Sequence, residues 1–189
     1  LKNKNFFFTG ATGFIGKWVV GALLLANDKF SLNLKIYILS RNPDLFISTY
    51  KFIGNHPNIF FLKGDIRKPI DANFLLELPK RFDYFIHAAT DIASNVTPTE
   101  MLDVSTSGTK NILELVKLKK PKEFLLISSG AVYGIQPKNI ISFNESYLGT
   151  MNWKDSESFA YGLGKVKAES LLKEYSNEKY FNSKIARCF

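Results

Sequence analysis

The residues Phe6 to Gly16, reading FFFTGATGFIG, constrain this chain most. A short apolar run stops at Thr9, glycines follow at Gly10, Gly13 and Gly16, and an apolar-periodic segment opens with Phe14, Ile15, Trp18, Val19 and Val20. The pattern predicts a strand over about 5–9, a tight turn, and a helix over about 14–27 that leaves at Asn27-Asp28. Gly10 permits the turn out of the strand, Gly13 keeps a Cβ out of the way of a close ligand, and Gly16 lets the helix pack near the strand. The first amides of the helix then face the turn with a partial positive charge, which suits a pyrophosphate.

Beyond this turn, strand and helix patterns alternate. Leu34 to Leu39 reads as a strand ending at Ser40-Arg41, and Asn42-Pro43 opens a helix to about Phe52 that Gly54-Asn55 and Pro57 break. Further strands are expected over 59–62, 82–87, 123–127 and 184–188. Asp71 should cap a short helix ending before Pro79, and Thr97-Pro98, with Glu100 in the first turn, should open a long helix over about 98–119 that ends before Pro121. Residues 134–154 read as a loop, and a last helix is expected over about 157–179. This alternation predicts an α/β fold: a Rossmann-type, doubly wound parallel sheet in three layers with strand order 3-2-1-4-5-6 and a ligand crevice at the C-terminal strand ends.

The 189 residues suffice for one such domain, 1–189. No apolar run approaches the roughly 20 residues of a membrane span, and no signal peptide is visible. Cys188 is the sole cysteine, which excludes an internal disulfide and fits a cytoplasmic protein. The net charge is +8, but the basic residues are scattered. The group at Lys117, Lys119, Lys120 and Lys122 reads as a solvated helix end, so neither nucleic acid nor membrane is an expected partner.

Two further stretches carry chemistry. In Tyr161-Gly162-Leu163-Gly164-Lys165 the phenol and the ammonium share one helix face. A phenol is a poor base at neutral pH, and a nearby cation favours its phenolate form. Alone, the pair fits a half-exposed helix face equally well; together with the upstream glycine turn it reads as an acid/base pair beside a dinucleotide. Ser128-Ser129-Gly130-Ala131-Val132-Tyr133-Gly134 leaves the fifth strand at the sheet's C-terminal edge, where a hydroxyl can meet a substrate oxygen; a simple turn-forming Ser pair is the plainer alternative.

With these motifs in hand, the chain resembles the N-terminal, cofactor-binding part of the extended short-chain dehydrogenases/reductases, the NAD-dependent epimerase/dehydratase family of nucleotide-sugar enzymes. The resemblance rests on TGATGFIG (9–16), GDI (64–66), HAAT (87–90), SGTKNILE (107–114), SSGAVYG (128–134), YGLGK (161–165) and IAR (185–187), and spans essentially the whole chain. It implies an NAD(P)-dependent oxidoreductase or isomerase with Tyr161 as general acid/base, Lys165 on the nicotinamide ribose and Ser129 as the catalytic hydroxyl. Gly10, Gly13 and Gly16, with the Phe14 and Ile15 amides, match the pyrophosphate site. Asp65 and Ile66 match the adenine contacts, and Ala88, Ala89 and Thr90 line the cofactor. Asp65 also fits a turn cap, and His87 is expected to matter through its backbone rather than its ring. The family's separate C-terminal substrate domain is absent from this chain, so the fragment alone is expected to bind cofactor without necessarily turning over. A homodimer through the helices at 98–119 and 157–179 is also implied.

Two departures narrow the expectation. The second strand ends in Ser40-Arg41, where members using NAD carry an acidic residue for the ribose 2′-hydroxyl; an Arg favours the 2′-phosphate of NADP, although stacking on adenine would leave NAD usable. Dehydratases carry Asp-Glu directly after the catalytic hydroxyl residue, and here Gly130 and Ala131 cannot move a proton. An epimerase acting on a nucleotide sugar is therefore expected. An NADPH-dependent reductase of a keto-sugar or other carbonyl is the alternative, then a non-catalytic cofactor-binding module, with a 4,6-dehydratase disfavoured.

Overall fold

The structure is a computed structural model that describes residues 1–90, 96–147, 159–178 and 180–189. Six strands form one parallel sheet in the order β3-β2-β1-β4-β5-β6. They are β1 (Asn5–Thr9), β2 (Lys35–Ser40), β3 (Ile59–Lys63), β4 (Tyr84–His87), β5 (Glu123–Ser129) and β6 (Asn182–Cys188). The central strands are nearly continuous apolar runs because helices cover both faces. On one face, Phe6 and Phe8 of β1 pack with Val20, Leu24, Ile36 and Ile38; on the other, Phe7 packs with Phe82, Phe85, Leu113 and Val116. Consecutive phenylalanines thus serve opposite layers, as strand geometry requires.

Helix α1 (Phe14–Phe30) is three residues longer than its sequence pattern indicated. Asn27 does not end it, because its side chain is buried and used elsewhere: Oδ1 accepts from the Leu34 amide at 2.8 Å, which ties the helix to the start of β2. Ser31, at φ 49°, ends the helix instead. The single helix expected from Pro43 is two pieces, α2 (Pro43–Thr49) and α3 (Lys51–Gly54), divided at Tyr50, whose backbone (φ −119°, ψ 64°) is not helical. Asp71 caps α4 (Ala72–Leu76) as expected, accepting from the Phe74 amide at 2.8 Å.

The long helix after β4 starts as expected, with a reciprocal Thr97–Glu100 capping box opening α5 (Pro98–Asp103). It then passes through a π-helical turn, Val104–Gly108, before α6 (Thr109–Lys119). The wider turn seats Gly108 against Ile66 and Ser105 against Gly164. Strand β5 runs two residues beyond the expected end, because Ser128 and Ser129 pair with Arg187 and Cys188 of β6. A 3-10 turn, Gly130–Tyr133, follows. The last helix, α7, spans Phe159–Ser176. The parts of the expected loop and helix at residues 148–158 and at 179 lie outside the described residues.

Candidate active site

A cleft of about 780 Å³ opens along the C-terminal edge of the sheet. All the site residues expected from the sequence line it: Gly10, Gly13, Phe14, Ile15, Gly16, Ser40, Arg41, Asp65, Ile66, Ala88, Ala89, Thr90, Ser129, Tyr161 and Lys165.

The glycine turn forms its floor. Gly10 has φ +72°, and a Cβ there would lie 2.4 Å from the Ala88 carbonyl carbon, so only glycine lets β1 turn beneath the end of β4. A Cβ at Gly16 would lie 2.2 Å from the Gly10 carbonyl oxygen, so the helix packs against its own turn. Gly13 caps α1 without a side-chain hydrogen bond. The first amides, those of Phe14 and Ile15, have no acceptor within the helix and stand at its positive end, at the cleft. Beyond the end of β4, Thr90 Oγ1 is buried without a partner among the described residues. Donors at a helix start, a backbone floor free of side chains and an unpartnered hydroxyl together fit a dinucleotide.

The opposite wall holds the titratable groups. Lys165 is buried; its Nζ donates to the Ile127 carbonyl at 3.1 Å and lies 5.6 Å from the Tyr161 ring centroid. Burial lowers its pKa to about 8, opposed by Cys188 and Glu169. Tyr161 is half-buried in the first turn of α7. The Ser129 oxygen accepts from the Ala131 amide at 3.2 Å, which leaves its O–H free to donate.

His87, expected to matter more through its backbone than its ring, also uses its ring. Its ring is buried between two hydroxyls, Nδ1 at 2.6 Å from Thr9 Oγ1 and Nε2 at 3.0 Å from Thr109 Oγ1. Burial, and then the Lys165 charge, depress its pKa to about 3, so the ring is neutral at physiological pH. Asp65 lines the cleft, but its carboxylate is gripped by Arg67, with Nη2 at 2.6 Å from Oδ2 and the Arg67 amide at 3.0 Å from Oδ1. Asp65 thus caps the turn while still lining the cleft. The Arg67 hydrogen bond, with smaller help from Arg41, holds the carboxyl below its usual range.

Sequence reasoning missed several groups of the cleft. Tyr50 stands at its mouth, its hydroxyl accepting from Lys17 Nζ at 3.2 Å. Cys188 and Phe189 reach it from the far end of the chain through the β5–β6 pairing. Behind the cleft wall, outside its lining, Glu169, four residues after Lys165, binds Arg187; the spacing was readable, the partner was not. Among the described residues, no group of three or more His, Cys, Asp or Glu is placed to hold a metal ion. No helix among them is long and apolar enough to cross a membrane.

The sequence model of the NAD dependent epimerase/dehydratase family matches residues 7–189. The chain belongs to this family. Among curated proteins, an N-acetyl-alpha-D-glucosaminyl-diphospho-ditrans,octacis-undecaprenol 4-epimerase of Escherichia coli O157:H7 is 29% identical over 93% of this chain and 45% of its own length. A UDP-glucose 4-epimerase of Pisum sativum is 27% identical over 91% of this chain and 47% of its own length. The chain thus spans about half the length of the curated relatives it matches. In fold it is similar to the UDP-glucuronic acid 4-epimerase of Bacillus cereus, solved with UDP-glucuronic acid and NAD: TM-score 0.75 and 21% identity over 97% of this chain and 55% of that one. Family membership and the observed strand order agree with the fold expected from the sequence.

Proposed function

We propose that this chain is the cofactor-binding part of a nucleotide-sugar epimerase using NAD or NADP, with Tyr161 as acid/base, Lys165 on the cofactor ribose and Ser129 on the reacting oxygen. The observation that carries the reading is that these three residues open onto the same cleft as the Gly10–Gly16 turn. When bound, the nicotinamide supplies a reversible hydride acceptor for a sugar carbon. The chain's own residues handle the proton and the geometry. The Tyr161 phenolate takes the hydroxyl proton as the sugar oxygen becomes a carbonyl, and the resulting phenol returns it when the alcohol re-forms. The Lys165 ammonium beside the ring stabilises the phenolate. The free O–H of Ser129 donates to the same sugar oxygen and orients it. Gly130 and Ala131 carry no carboxyl, which disfavours water elimination.

The relatives support a nucleotide-sugar substrate, and the whole protein's activity is part of the proposal. Arg41 in the cleft at the end of β2 favours a second reading, an NADPH-dependent reductase of a keto-sugar. A homodimer through α5–α6 and α7 is also proposed; a monomer mass by light scattering at micromolar concentration would count against it.

The test is to incubate the full-length protein with UDP-hexoses and each dinucleotide and to follow sugar stereochemistry and cofactor absorbance together. Formation of the C4 epimer without net cofactor consumption supports the epimerase; stoichiometric NADPH consumption moves the assignment to the reductase. Tyr161→Phe should lower turnover by about 10²-fold or more, and activity within a few-fold of the parent overturns the role given to Tyr161.

A further inference from the structure

Lys165 and Glu169 stand one turn apart on α7 and grip consecutive residues of β5. Lys165 donates to the Ile127 carbonyl at 3.1 Å, and Glu169 Oε1 accepts from Ser128 Oγ at 2.5 Å. The same carboxylate takes a two-pronged bond from Arg187 of β6, Nε to Oε1 at 3.0 Å and Nη2 to Oε2 at 2.8 Å. The third guanidinium nitrogen turns outward: Nη1 donates to Tyr133 Oη at 2.8 Å and to the Glu145 carbonyl at 2.9 Å. Tyr133 stacks on Phe143 at 4.7 Å, and Phe143 on Tyr147 at 5.1 Å. One arginine therefore links the helix carrying Tyr161, the strand end carrying Ser129 and the segment that follows it.

We propose that the Glu169–Arg187 pair is a positioning unit that holds the Tyr161 helix in register over Ser129 and pins residues 134–147 to the end of β6. The inference rests on the epimerase reading for its catalytic consequence, though not for its structural one. An apolar contact at this place would allow α7 to slide, and one residue of slippage moves Tyr161 by about 1.5 Å and turns it by about 100°. A bidentate carboxylate–guanidinium pair has one geometry and resists that slide. Each partner is largely shielded, with side-chain exposures of 12% for Glu169 and 26% for Arg187, so removing one strands the other.

The test uses Glu169→Gln and Arg187→Lys in the full-length protein. Glu169→Gln should bind the dinucleotide within about threefold of the parent while kcat falls about tenfold or more, because orientation is lost and the cofactor floor is intact. Its alkaline limb should also move to lower pH. Lys165 is faced by His87 on β4, Cys188 on β6, and Tyr161 and Glu169 on its own helix; deleting the Glu169 charge removes an anion that stabilises the ammonium. Arg187→Lys keeps the charge but cannot reach all four acceptor oxygens, so it should raise KM more than it lowers kcat. A kcat within twofold of the parent and an unmoved alkaline limb in Glu169→Gln overturn the inference. Hydrogen exchange gives an arm independent of turnover. Glu169→Gln should speed exchange at residues 159–165 and Arg187→Lys at 134–147, with β1 and α1 unchanged; unchanged exchange in both segments overturns the positioning role even if the parent turns nothing over. If Glu169→Gln folds poorly, Ser128→Ala deletes the bond that ties the Glu169 carboxylate to β5 and should give the same kcat and exchange changes at smaller size; no change there overturns the inference.

Discussion

His87 and Thr9 are register partners in the β1–β4 pairing, and their side chains meet 2.6 Å apart at the C-terminal ends of the two strands. The ring is dry, flanked by a second threonine and close enough to Lys165 to feel its charge. Charging it would place a second cation in the interior, where the hydroxyls are its hydrogen-bonding partners.

The fold should therefore lose stability in acid for a nameable reason. The folded imidazole titrates near 3 against its usual 6.5, so between these values the unfolded chain binds the extra proton. The contribution of neutral His87 is complete above pH 6.5 and is lost as pH falls towards 3. Between pH 6.5 and about pH 4.5 the loss should be about 2–3 kcal/mol. Urea titrations at the two pH values measure it, and His87→Asn should show a shallower pH slope. An equal slope in the variant would assign the acid sensitivity to other groups.

The glycines of the turn should separate into two kinds. Gly10→Ala meets a positive φ and the Ala88 carbonyl, and Gly16→Ala meets the Gly10 oxygen, so each should destabilise the fold by about 2 kcal/mol or more. At Gly13 the nearest obstacle to a Cβ is the Gly10 oxygen at 3.2 Å, a few tenths of an ångström of adjustment. Gly13→Ala should therefore melt close to the parent yet bind dinucleotide more weakly, because its methyl enters the phosphate path. Melting curves with and without cofactor distinguish the two kinds.

Lys165→Met should trade stability against activity. The buried ammonium is held against a desolvation penalty that lowers its pKa to about 8. Its folded value lies below its unfolded one, so its unfavourable contribution is present at neutral pH and is relieved as pH rises from about 8 towards 10.5. A methionine of similar length removes the penalty. The variant should be at least as stable as the parent at pH 7 while turnover falls about 10²-fold or more. Denaturant midpoints at pH 7 and pH 10 should converge for parent and variant at the higher pH.

Arg41 should decide between the two dinucleotides. If its guanidinium meets a 2′-phosphate, Arg41→Ala should weaken NADP by about tenfold or more and leave NAD within twofold. Trp18, exposed in α1 beyond the glycine turn, offers an emission signal for both titrations. Equal loss for both dinucleotides would point to stacking on adenine instead.

The sheet and its cleft were legible because they depend on local patterns. Runs such as Phe6-Phe7-Phe8 and Leu34 to Leu39 read as strands whatever surrounds them, and the glycine spacing fixes the turn at its start. What stayed hidden depends on partners distant in sequence. Asn27 resembles a helix stop until its side chain is seen bonding Leu34. The π turn has no composition of its own; it follows from seating Gly108 on Ile66 and Ser105 beside Gly164 at once. The grip of Arg67 on Asp65 shows only once the turn between them is in place. Glu169 and Arg187 meet because strand order brings β6 beside β5.

The π turn at Val104–Gly108 makes chain length itself a functional quantity. It acts as one residue inserted into an otherwise regular helix, so deleting any one residue there would heal the helix rather than break it. The healed helix would keep α6 in place and rotate α5 by about 100°. Val104 would leave the cleft wall and Ser105 would leave Gly164. Most point substitutions in this segment should be milder than that deletion, so natural variation here should tolerate changes of residue and reject changes of length.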